Sequence, residues 1–144
     1  MNGKLKYWFQ GNILYFKTEG DYSAGELIEL INTALNDPAL PKRFAILFDA
    51  RLSTISRKVE EIKPISNVLH KWKDHIVCSA VVVSDDLSYG VTRQISVYDE
   101  SHDRETEPFR AIEPALGWLK EKLKSIETDD PLPKKVGNDY QVHG

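Results

Sequence analysis

This 144-residue chain has a single cysteine, a single methionine and no apolar run approaching the roughly 18 residues of a membrane span. With Cys78 alone no internal disulfide can form, which favours a reducing, cytoplasmic setting. Cys78 lies inside an apolar run, where a free thiol packs as a small hydrophobe. The first residues lack the apolar centre of a secretion signal, so neither export nor membrane insertion is expected. A formal charge of −3 excludes a global attraction to nucleic acid or anionic lipid. The aromatics Tyr7, Trp8, Phe9, Tyr15 and Phe16 have no basic stripe beside them and read as packing rather than as a base-stacking platform. Glycine-rich phosphate loops, nucleophile elbows and paired cysteines are missing, so no catalytic residue is assigned. The histidines lack metal-ligand spacing, and Asp99, His102 and Asp103 read as an exposed acidic loop; no metal or cofactor is expected.

What is present is two short apolar runs, residues 43–49 and 77–85, each ending abruptly in polar residues. A strand covered on both faces reads as a near-continuous apolar run, and ligands of open α/β sheets bind at the carboxyl ends of such strands. Asp49 and Ser84-Asp85 would stand at that edge.

The elements around these runs follow from their patterns. Gly11-Asn12 between residues 5–9 and 13–17 signals an antiparallel hairpin. Ser23 three residues before Glu26 forms a capping box, with Tyr22 and Leu27 as a hydrophobic staple, and Asn36-Asp37-Pro38 ends the helix that follows. A second helix carries Val59, Ile62, Ile65, Leu69, Trp72 and Ile76 at intervals of three or four. Pro64 favours a start there, with proline in the first turn, over a kink. Residues 87–98 fit a helix better than a strand, residues 106–110 a short edge strand because of Pro108, and a last helix begins near Pro114. From residue 125 the pattern dissolves into a mobile or extended tail, leaving one domain over residues 1–124.

Asp49-Ala50-Arg51 closing a central strand, Tyr89-Gly90 followed by Arg93, and Pro108-Phe109-Arg110 leading into Ala115-Leu116-Gly117-Trp118-Leu119 resemble the SpoIIAA-like group of the STAS superfamily, with a more distant likeness to Sec14-type domains. The resemblance covers residues 5–124. It implies a mixed α/β sheet of about five strands, an N-terminal antiparallel hairpin followed by parallel crossovers, with about four helices. It also implies a binding domain rather than an enzyme. In the anti-sigma-factor antagonists of this superfamily a serine after a central strand is phosphorylated within an Asp-Ser-Ser-Gly type motif. Here Ser53, Thr54 and Ser56 occupy that connection without the motif's acidic residue and glycine, and they are the candidate phosphorylation sites through which binding would be controlled.

The expected ligand or partner site is therefore the strand carboxyl edge around Asp49, Ser53, Ser84, Tyr89 and Arg93. Asp49 either holds a ligand or orders its own loop. Arg93 either grips an anion or makes a surface ion pair, and Gly90 either lines a pocket beside Tyr89 or lets a helix pack closely. The expected activity is non-enzymatic regulation or interaction through a protein partner or small ligand at this edge. The alternative is carriage of an apolar or lipid-like molecule between helices and sheet, which requires a cavity. A homodimer would form through the hairpin or the tail.

Overall fold

The computed structural model describes residues 3–54 and 58–129. Strands β1 (Lys4–Gln10) and β2 (Ile13–Gly20) pair antiparallel across Gly11-Asn12. Gly11 takes φ +61°, the positive value that a tight hairpin needs at its first turn position. Helix α1 (Ala24–Leu35) begins as its capping box dictates: the Ser23 hydroxyl accepts from the Glu26 amide, and Glu26 accepts from the Ser23 amide. Tyr22 and Leu27 are both buried in the same cluster, as the staple requires. Strand β2, helix α1 and strand β3 (Phe44–Ser53) make the first parallel crossover; β3, helix α2 (Val59–His70) and strand β4 (Ile76–Val82) make the second; β4, helix α3 (Asp86–Glu100) and strand β5 (Thr106–Phe109) make the third. Helix α4 (Ile112–Asp129) closes the described chain.

The sheet order is β1-β2-β3-β4-β5, with every pair after the hairpin parallel. This is the five-stranded mixed sheet with four helices that the sequence implied. One face, carrying Leu14, Phe16, Phe44 and Ile46, packs against α1 and α2. The other, carrying Ala45, Leu47, Ala80 and Val82, packs against Ala115 and Leu119 of α4. Strand alternation sends neighbouring side chains to opposite layers, so the two apolar runs supply both cores. Pro108 is accommodated because β5 is an edge strand bonded only to β4.

Several boundaries differ from expectation. Helix α2 begins at Val59, and Pro64 lies inside it rather than at its start. Pro64 and Glu60 are both exposed, so the carbonyl that loses its partner faces water, which limits the penalty. Strand β3 runs past Asp49 to Ser53, helped by an irregularity opposite Lys17 and Glu19 where two residues of β2 face an extra residue of β3. Strand β4 stops at Val82, because Asp85 leaves the sheet to cap α3 by accepting from the Ser88 amide at 2.7 Å. Helix α4 starts at Ile112 and continues to Asp129, five residues beyond the expected end of the domain at residue 124. Residues 130–144 of the expected tail lie outside the described residues, as does Ser56.

Candidate functional site

The expected edge residues are placed as follows. Asp49 sits within β3, its carboxylate gripped by Arg51 through Nε and Nη2, both at 2.9 Å. Burial raises the Asp49 pKa, but the Arg51 guanidinium, the Arg51 amide and the Lys17 charge together outweigh it and hold the carboxyl below its ordinary range. Ser84 joins the pair by donating to the Arg51 carbonyl at 2.9 Å. Ser53 is buried and donates to the Ala50 carbonyl at 3.3 Å. Being the last residue of β3, Ser53 is not at the start of α2, whose N-cap is Lys58. Exposed Thr54 lies 3.4 Å from the Gly20 carbonyl and 3.5 Å from Asp21.

Tyr89 belongs to a second group, with the Arg110 guanidinium 4.6 Å from its ring centre and Asp86 2.7 Å from that guanidinium. Arg93 is exposed, and no hydrogen bond or ion pair among the described residues joins it to the others. Gly90 is exposed with open space around the position of a Cβ, so it neither permits a close helix-sheet approach nor lines a pocket. The structure thus unites Asp49, Arg51 and Ser84 and leaves Tyr89 and Arg93 apart from them.

A concave site lies in the helical layer on the α1–α2 face. A cavity of about 70 Å³ is enclosed by Leu27 of α1, Ile62, Ile65 and Leu69 of α2, Ile95 of α3, and Phe48 and Val81 of the sheet. Phe48, Val81 and Ile62 keep partial exposure. At one end Thr18 Oγ1 is buried with no hydrogen-bond partner among the described residues. At the other stand Ser79, Asp99, Arg104 and Thr106, each buried.

That polar end is built by the exit from α3. Asp103 takes φ +62°, a conformation that aspartate tolerates better than most residues, and the Arg104 amide reaches back to the Asp99 carbonyl at 2.9 Å. The turn sends the Arg104 side chain under the helix, where its Nη2 donates to Ser79 Oγ at 3.1 Å and Thr106 Oγ1 at 3.4 Å. Asp99 receives Thr106 Oγ1 at 2.7 Å and His70 Nε2 at 3.0 Å. Arg104 Nη1 stands 3.4 Å from Asp99 Oδ2 as an ion pair, yet among the described residues neither Nη1 nor Nε has a hydrogen-bond acceptor. Burial lowers the Arg104 pKa against the opposing pull of Asp99. Burial likewise lowers the His70 pKa more than Asp99 raises it.

Sequence reasoning placed Asp99 in an exposed acidic loop, and the structure corrects this: Asp99 is 1% exposed. Its position was legible, because Asp99 follows Val91 and Ile95 at helical spacing on the buried stripe of α3. Nothing in the local pattern marked Arg104, whose burial depends on the Asp103 turn.

No protein-family model and no curated protein matches the chain. Among solved structures, the chain is similar to an uncharacterised Shewanella loihica PV-4 protein of the DUF3478 family described as having a SpoIIAA-like fold. The two share 17% identity and a TM-score of 0.53 over 81% of this chain and 93% of that one. At that identity the likeness concerns the fold alone, and the fold of this chain is SpoIIAA-like.

Proposed function

We propose that this protein is a non-enzymatic cytoplasmic binding domain that holds a small, mainly apolar molecule between its helices and sheet. The observation that carries this reading is the cavity walled by Ile62, Ile65, Leu69, Ile95, Phe48 and Val81. Apolar walls with a few convergent polar groups are the usual make-up of a small-molecule site. The volume is about half the ~150 Å³ that accepts benzene in an engineered apolar cavity, so the occupant is small or extends past Phe48. Titrating n-butanol into protein labelled at its isoleucine methyls should give saturable shifts at Ile62, Ile65 and Ile95, and Ile95→Trp should abolish them. Shifts that never saturate, or that survive the tryptophan, would reject the cavity as the site.

A second reading, docking of a protein partner at the strand carboxyl edge, is supported by Leu52 near the end of β3 and Leu87 at the start of α3, which are 63% and 59% exposed. Partner capture through that edge should weaken at least tenfold in Leu52→Ser/Leu87→Ser with cavity binding untouched. Capture unchanged by that double substitution removes the edge as the contact.

A further inference from the structure

We infer that the cavity's occupant is a short-chain monocarboxylate, anchored by Arg104. This rests on the cavity being a ligand site and adds the chemistry of its polar end. Arg104 lines the cavity at 5% exposure, and its Nε and Nη1 are both buried without a hydrogen-bond acceptor among the described residues. A guanidinium donates at every N–H and accepts at none, so these groups call for an oxygen beyond those the described residues supply. Ser79 adds to the surplus. Its Oγ accepts from Arg104 Nη2, which leaves its own proton for an acceptor. Asp99, the one carboxylate among the described residues that line the cavity, divides its charge among His70, Thr106 and Arg104.

An end of the cavity with several donors and little free acceptor capacity suits a group that only accepts, and a carboxylate supplies two oxygens with about four lone-pair sites. A hydroxyl or amide would bring donors of its own into a place that already has too many. The apolar walls at Ile65, Leu69 and Ile95 then take the alkyl tail, and the volume of about 70 Å³ sets its length at a few carbons.

Calorimetric titration of the full chain with acetate, propionate, butyrate and valerate, beside the matched n-alcohols, separates the two levels of the argument. Carboxylate affinity should rise about fourfold per methylene until the cavity is filled. Butyrate should bind at least tenfold more tightly than n-butanol, as expected for a hydrogen bond to a charged group. Arg104→Met should remove that preference, bringing the butyrate and n-butanol affinities to within about twofold of each other. Since Arg104→Met strands Asp99, the pair Asp99→Asn/Arg104→Met serves as the folded control, with the same expected loss. Equal binding of butanol and butyrate to the unsubstituted protein overturns the carboxylate inference and keeps the cavity. Binding of neither overturns both.

Discussion

Arg104 is 5% exposed, and a buried guanidinium is costly unless its donors are met. Its neighbour His70 carries a consequence that can be measured. Burial lowers the His70 pKa below 6.5 and outweighs the Asp99 carboxylate, so the folded protein binds this proton less readily than the unfolded chain. The neutral ring then contributes stability that is complete above pH 6.5 and is lost as the pH falls through the folded value. Urea unfolding should therefore show stability decreasing between pH 7 and 5, with a smaller decrease in His70→Gln. An NMR titration placing His70 above 6.5 would contradict the sign. Asp49 follows the same rule at lower pH: Arg51 holds its carboxyl down, and the pair weakens only as Asp49 protonates. Cys78 is inert by comparison, its thiol pushed up to about 12 by burial.

At the scale of elements, the start of α1 was legible because a side chain caps a backbone amide, whereas Asp85, which caps α3, reads in the sequence as part of the strand edge. The Ser23–Glu26 box fixed the start of α1 from local sequence, and Ser23→Ala should cost about 1 kcal/mol, read from the midpoint of chemical denaturation. A change below about 0.3 kcal/mol would mean that tertiary packing alone sets this helix end. Helix α2 shows the limit of such signals. Its N-cap Lys58 makes no side-chain bond, so Pro64 looked like the start although five helical residues precede it. Packing of Ile62, Ile65 and Leu69 onto the sheet overrode the local preference. The end of β3 was misjudged for a related reason. Parallel pairing with β2 carries it through Ser53, and the sequence of β3 holds no record of its neighbour's register.

At the scale of the whole molecule, the sheet divides two layers with different roles. The α4 side is closed by Ala115 and Leu119, both fully buried against Leu47, Ala80 and Val82. The opposite side combines three helices that do not fill the space over Phe48 and Val81, and the cavity occupies what is left. Asp49 shares its strand face with Ala45 and Leu47, on the α4 side, and Arg51 feels the charge of Glu113 in that helix. The polar edge and the apolar cavity are therefore separate places, with the sheet between them. No helix among the described residues is long and apolar enough to cross a membrane.

The sequence by itself determined the elements and their order. Hydrophobic period, the capping box, the Gly11 turn and the Pro108 edge are properties of a few adjacent residues, and each survives in the structure. Only the tertiary structure decided which candidate side chains meet. Asp49 is paired with Arg51 two residues away, whereas Arg104 gains its surroundings from His70, Ser79, Asp99 and Thr106 on four different segments. A cavity has no local signal either, since it is the volume that Leu27, Ile62, Ile95 and Phe48 fail to fill once their elements have docked. Burial and charge neutralisation at that site are sums over distant contacts, and those sums exist only in the folded chain.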